Sequence, residues 1–243
     1  MPTWVERLLS HCPGQCAICR SWAQGGVCPS CLARWTHSAP RCRTCAIQLP
    51  TRSAAPGQAQ QCGACLGKPP PLDRCIAALD YAYPWDLLIQ RFKFHQALDL
   101  RRALIERLDQ ALDTADSLAA PDWLLAVPLS AQRLRERGYN QSWELARNLA
   151  GRRQLRCAPD MLLRVRDTRH QIALPTEERA ANVRHAFAID PRRAPQLRGA
   201  HIALLDDVMT TGATLHELAR SLRQAGAASV QAWVLARTPD PRH

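Results

Sequence analysis

The stretch from Ile202 to Glu217 constrains the fold most, because it calls for a strand, a loop and a helix in immediate succession. Ile202, Ala203, Leu204 and Leu205 are four apolar residues bounded by charge, the pattern of a buried strand. Thr214 followed three residues on by Glu217 has the form of a capping box, which predicts the helix start. Beyond it a helix to Ala225, a turn at Gly226 and a strand over Ser229–Ala236 complete the strand-helix-strand crossover of an α/β sheet.

The loop of this unit carries chemistry. Asp206 and Asp207 are followed by Thr210, Thr211, Gly212, Ala213 and Thr214 where the helix begins. Backbone N–H groups at a helix N-terminus lack internal partners and attract anions, and a glycine lets the chain wrap closely around a phosphate. Two carboxylates would repel that phosphate, so the pairing makes sense for a phosphate carried on a polyol whose hydroxyls donate to the acids. Ribose 5-phosphate has that form. The plain alternative is a βα loop at a sheet edge with two solvated acids.

Leu204 to Thr214 resembles the signature of type I phosphoribosyltransferases, which bind 5-phosphoribosyl 1-pyrophosphate (PRPP). The resemblance implies that Asp206 and Asp207 hold the ribose 2- and 3-hydroxyls as the catalytic pair. It also implies that Thr210, Thr211, Gly212, Ala213 and Thr214 wrap the 5-phosphate.

Eight of the eleven cysteines form four Cys-x-x-Cys pairs: Cys16/Cys19, Cys28/Cys31, Cys42/Cys45 and Cys62/Cys65. Each pair presents two sulfurs to one metal, and structural zinc needs four, so eight thiolates suggest two sites. Sixteen residues separate Cys45 from Cys62 and eight separate Cys19 from Cys28. Sequential pairing is the expected arrangement; alternate pairing and a single occupied site are the alternatives. The other three, Cys12, Cys75 and Cys157, read as plain thiols. With few large apolar residues, the segment would draw most of its stability from metal. Pro50–Pro71 reads as a loop inside a zinc ribbon followed by a stiff linker, giving a Cys-rich domain over residues 1–74 and a second domain over 75–243.

The second domain opens with a strand over Ile76–Tyr83 and a helix over Pro84–Phe94. Lys93, near that helix's end, reads as a solvated lysine or as a phosphate contact. A helix over residues 97–113 and a strand at Asp122–Pro128 follow, then an arginine-rich turn with Arg133, Arg135 and Arg137. Guanidinium groups at the C-terminal end of a parallel strand suit a pyrophosphate; a solvated edge is the alternative. Asn140 or Ser142 caps a helix to Ala150, and Leu162–Arg166 reads as a strand. Asp167 to Val183 looks like a lid, in which the lone His170 reads as a solvent-facing loop residue.

Over nearly its whole length the chain resembles the ComF family of competence-associated, phosphoribosyltransferase-like proteins. The four Cys-x-x-Cys pairs, Lys93-Phe94 and Val127-Pro128 carry the likeness, with Arg137 to Gln141, Thr168, Gln171, Leu174, Arg179, Asn182, Phe187 and Asp206 to Gly212. The resemblance implies a mostly parallel twisted sheet flanked by helices behind a small, double zinc ribbon. It further implies PRPP with Mg²⁺, and Arg133, Arg137, Lys93, Gln171 and Arg179 about the pyrophosphate and its lid. A role in natural transformation or in using DNA as a nutrient follows, as a transferase with an unidentified acceptor. The alternative is a PRPP-sensing adaptor that binds single-stranded DNA or a competence helicase through the basic zinc domain. Residues 1–74 hold eight Lys/Arg against two acids, out of a formal net charge of +11 for the whole chain, which suits contact with a polyanion or simple solvation. The opening residues carry no apolar signal core and no run approaches the ~20 residues needed to span a bilayer, so a cytoplasmic protein without membrane insertion is expected.

Overall fold

The computed structural model describes residues 14–23, 25–37, 39–50, 60–115, 120–166, 181 and 183–239. The cysteine-rich part holds the hairpin β1 (Gly14–Gln15) and β2 (Trp22–Ala23) with two short helices, α1 (Pro29–Trp35) and α2 (Gly63–Gly67). There follow β3 (Arg74–Asp80), α3 (Trp85–Phe94), α4 (Arg101–Asp113), β4 (Trp123–Ala126), α5 (Ala131–Arg137) and α6 (Gln141–Arg153). Then come β5 (Arg156–Cys157), β6 (Leu162–Arg164), β7 (Phe187–Ile189), β8 (His201–Met209), α7 (Ala213–Gln224) and β9 (Ser229–Arg237). Among the described residues no helix is long and apolar enough to cross a membrane.

Five strands form one sheet in the order β3-β9-β8-β4-β5, and every pair in it is parallel. Such a sheet is covered on both faces, which is why its central strands read as continuous apolar runs. Alternate residues serve the two faces. Ile202, Leu204, Val230 and Ala232 pack with Leu215, Leu218 and Leu222 of α7, which repeat at helical spacing. On the other side Ala203, Leu205, Trp233 and Leu235 meet Phe92 of α3, Leu104 and Leu108 of α4 and Leu145 and Leu149 of α6.

The order of the strands locates a crevice. From β4 the chain passes through α5 and α6 outward to β5; from β8 it passes through α7 to β9, in the opposite direction. Adjacent strands whose connections leave to opposite sides open a gap at their C-terminal ends, the common ligand position of open parallel sheets. The ends of β4 and β8 form that gap here.

Two expectations are corrected. The strand at Leu162–Arg166 is shorter and lies outside the main sheet, paired antiparallel with β7. The arginine-rich turn is the helix α5, with Ser130 as its N-cap and Gly138, in the left-handed conformation, closing its end. The cysteine-rich segment is also bonded to the sheet. Cys75 N–H donates to Arg43 O at 2.8 Å, Arg41 pairs with Asp80 at 2.9 Å, and Trp85 Nε1 donates to Trp35 O at 2.7 Å.

Candidate functional site

Asp206 and Asp207 lie on β8 itself rather than in the loop after it, because the strand runs on to Met209 in register with β9, Asp206 opposite Val234. Both side chains meet helices on the same side of the sheet, Asp206 at Ser142 of α6 and Asp207 at Lys93 of α3. Asp206 Oδ1 accepts from Ser142 Oγ of α6 and from the Asp207 N–H, both at 3.0 Å. Asp207 is 3% exposed and pairs through Oδ1 with Lys93 Nζ at 3.1 Å, while its Oδ2 is buried without a partner among the described residues. Burial pushes the Asp206 carboxyl up to about 7, the neighbouring Asp207 charge adds to this, and Lys93 and the Ser142 hydroxyl oppose it.

Lys93 is thus not solvated: α3 carries it to the acid pair, 114 positions away in sequence. The loop after β4 reaches the same place. Val127 N–H donates to Leu205 O at 2.9 Å, Asn140 Nδ2 donates to Val127 O at 3.0 Å, and Asn140 Oδ1 caps α6 by accepting from the Ser142 and Trp143 N–H groups. Tyr139 packs edge-on to Phe92 with its hydroxyl buried and unpartnered among the described residues. Arg137 stacks over the Phe94 ring at 4.8 Å, and Arg133 lies half-buried on α5. Gln171 and Arg179, with the rest of the Asp167–Ala180 segment and Asn182, lie outside the described residues.

The helix start differs from the capping box expected. Gly212, at φ 80°, is the N-cap of α7 without a side-chain cap bond, so Thr214 is already helical. Glu217 instead accepts from the His185 N–H at 2.8 Å and pairs with Arg220 at 2.9 Å. Thr211 Oγ1 accepts from the Ala213 N–H at 3.4 Å, closing the loop locally. His216 stands over Gly212 with Nε2 buried and unpartnered among the described residues; burial, then Arg220 and Arg237, hold its pKa down to about 4, so the ring is neutral at pH 7.

A Cβ on Gly212 would lie 2.5 Å from Met209 Cε and 2.8 Å from His216 Nε2, in a backbone conformation that L residues resist. Gly212→Ala is expected to lower stability by about 1–3 kcal/mol and to displace the loop. A denaturant melt with unchanged midpoint would contradict this account of the turn.

The sulfurs of Cys16, Cys19, Cys28 and Cys31 lie within 4.8 Å of one another, and so do those of Cys42, Cys45, Cys62 and Cys65, which is the sequential pairing. Tetrahedral zinc places its sulfurs about 3.8 Å apart; Cys19 to Cys28 and Cys45 to Cys62 are each 3.7 Å. Cys28 N–H points at Cys16 Sγ and Cys31 N–H at Cys28 Sγ, at 3.3 and 3.4 Å, as donors to thiolates would. Both clusters could hold zinc. Cys75 and Cys157 stand apart, their thiols pushed up by burial to about 12 and 11.

Sequence reasoning missed Arg237. This last residue of β9 is 8% exposed and donates to the carbonyls of Cys45, Met209 and Thr238 at 2.9, 3.0 and 2.9 Å, and to Thr210 O.

A family model described as phosphoribosyl transferase domain matches residues 154–243. The chain is 35% identical over 234 residues to DNA utilization protein YhgH of Salmonella typhimurium, covering 93% of this chain and 98% of that one. It is 34% identical over 232 residues to competence protein F of Haemophilus influenzae, covering 93% and 95%. Among solved structures, glutamine PRPP amidotransferase from B. subtilis, complexed with ADP and GMP, is similar over 56% of this chain and 26% of that one, at 21% identity and a TM-score of 0.37.

Proposed function

This chain belongs to the ComF family, and from that premise we propose that it binds PRPP with Mg²⁺ at the ends of β8 and β4 and transfers the phosphoribosyl group. The biological setting we infer is the one its relatives are named for, competence and the use of DNA. One observation carries the reading. Asp207 holds Lys93 on one oxygen and keeps the other buried and unpartnered, at the mouth of the crevice and beside the start of α7. A buried lone carboxylate oxygen calls for a donor, and a ribose hydroxyl is a neutral one.

On this reading Asp206 and Asp207 accept from the two hydroxyls, and the N–H groups of Thr210–Thr214 receive the 5-phosphate. Lys93 neutralises one acid, so the anionic ligand meets a smaller repulsion. Arg133 and Arg137 would flank the pyrophosphate, whose oxygens are also the hard ligands Mg²⁺ prefers; the ion would neutralise the leaving charge. The resemblance alone assigns Gln171 and Arg179 to the cover over it. Rate enhancement would then come from positioning and electrostatics. Isothermal titration with PRPP and Mg²⁺ tests the reading, and absence of heat at millimolar ligand would sink it.

The Asp206 carboxyl makes binding pH-dependent. Its folded pKa lies near 7, above the unfolded 3.8, and hydroxyl donors need it ionised. Binding is therefore expected to expel protons as the pH falls below about 7, and affinity to rise with pH up to that point and then level. The same raised value means that this group's contribution to stability is greatest below its unfolded pKa and declines as the pH rises through 7. Calorimetry in buffers of different ionisation enthalpy measures the proton release directly; equal heats at pH 6 would contradict it.

A second reading is supported by Trp22, 75% exposed on the β1–β2 hairpin beside the exposed Arg20. An aromatic face next to a guanidinium suits stacking of single-stranded DNA bases, and the chain would then be a PRPP-sensing adaptor. Pyrophosphate release with any base or nucleic-acid acceptor rules out a pure sensor.

A further inference from the structure

Arg237 joins two parts of the molecule that the chain otherwise keeps far apart. Its Nε holds the carbonyl of Cys45, a member of the second four-cysteine cluster, and its Nη1 holds the carbonyls of Met209 and Thr210, where β8 passes into the turn before α7. Because a peptide is planar and trans, its C=O and N–H point oppositely. With the Met209 and Thr210 carbonyls drawn to Arg237, the N–H groups of Thr210 and Thr211 are turned to the other face of the loop, the face a 5-phosphate would take.

The charge of Arg237 is also telling. Its hydrogen-bond partners among the described residues are all backbone carbonyls, with no carboxylate among them. Burying an unmatched guanidinium is costly. Four thiolates around one divalent zinc carry a net charge of about −2, and they would stand next to it at Cys45.

Among the described residues no hydrogen bond joins the first cluster to that loop. It meets the domain at α3 and the residues after it, where Cys16, Cys28 and Cys31 pack with Trp85, Phe92 and Leu100 and the Trp35 carbonyl receives Trp85 Nε1. Lys93 lies eight residues further along that helix, about 12 Å. That path ends on the acid pair through the Lys93 side chain, and not on the backbone of the phosphate loop.

We propose that Arg237 is a positioning residue through which metal at the second cysteine cluster, and not at the first, sets the shape of the phosphate loop and hence the affinity for PRPP. The ligand half of this rests on the function proposed above; the coupling half does not.

The test uses the full-length, zinc-loaded chain and the variants Arg237→Lys, Cys45→Ser and, as control, Cys19→Ser. Zinc per chain, the thermal melt, PRPP affinity with Mg²⁺ and amide hydrogen exchange at Thr210–Thr214 are measured on each. Arg237→Lys keeps the charge but lacks the fork that reaches carbonyls on two sides. It is expected to retain zinc, weaken PRPP about tenfold and speed exchange in the loop ahead of the β8–β9 core. Cys45→Ser is expected to lose one zinc and do the same, while Cys19→Ser loses one zinc with less than about threefold change in affinity. Equal effects from the two cysteine variants, or unaltered loop exchange in both Arg237→Lys and Cys45→Ser, overturn the proposal. A second cluster that takes up no metal overturns it as well. Should Arg237→Lys not fold, the two cysteine variants decide. Should the parent chain bind no PRPP, the ligand reading falls, and loop exchange alone decides the coupling.

Discussion

Replacing Asp206 and Asp207 together by asparagine is expected to abolish PRPP binding while leaving the fold and the zinc content of the chain intact. A hydrogen bond to an ionised acceptor contributes about 1.5–3 kcal/mol. Two of them, one for each ribose hydroxyl, amount to about 3–6 kcal/mol, or a hundredfold to ten-thousandfold in affinity. Asparagine preserves the shape and one carbonyl acceptor, so the loss reports charge rather than packing. The single variants should separate. Asp206→Asn removes a carboxylate whose ionisation burial and its neighbour already oppose, and is expected to hold or raise stability at neutral pH. Asp207→Asn leaves Lys93, whose side chain is 17% exposed, without its charged partner, and is expected to melt earlier. Titration with PRPP and a thermal melt on all three proteins check this, and unchanged affinity in the double variant would refute the ribose assignment.

What sequence reasoning could and could not reach follows from where each signal resides. The cysteine clusters were legible because Cys-x-x-Cys is a local geometry and only the pairing of pairs is long-range. The buried strand and amphipathic helix around Gly212 were legible for the same reason. The acids looked like loop residues because aspartate is a poor strand former on its own, yet β9 supplies a backbone partner through Val234 and Lys93 offsets one charge. Thr214 and Glu217 imitated a capping box, but the left-handed Gly212 had already begun the helix, leaving Glu217 for His185 and Arg220. Lys93 and Arg237 carry no local pattern. Each gains its meaning from strands and helices that meet only in the folded sheet, so no spacing along the chain could announce it.

Removing the metal is expected to have the largest effect on stability, and not only where the cysteines are. Structural zinc in small cysteine sites contributes on the order of 10 kcal/mol, while besides the cysteines the apolar residues buried in this segment are few: Ala23, Val27, Ala46, Leu49 and Leu72. The segment cannot hold itself together once the sulfurs repel or protonate. Its cysteines also belong to the two cores of the sheet. Cys16, Cys28 and Cys31 lie with Leu79, Trp85, Phe92 and Leu100, and Cys42, Cys45 and Cys65 with Cys75, Met209 and Val234. Melting it therefore uncovers apolar surface on both faces, and breaks the Trp35–Tyr83 edge contact with centroids 5.3 Å apart and the Trp85 bond to Trp35 O. A chain of this size moves its midpoint by about 2–4 °C per kcal/mol, so even half of one site's contribution would lower the melt by more than about 10 °C. Metal analysis should return two zinc ions per chain, and chelation should remove the near-ultraviolet tryptophan signal and raise binding of an apolar dye. A chain that purifies without zinc and melts the same with or without chelator would show that the cysteines serve some other end.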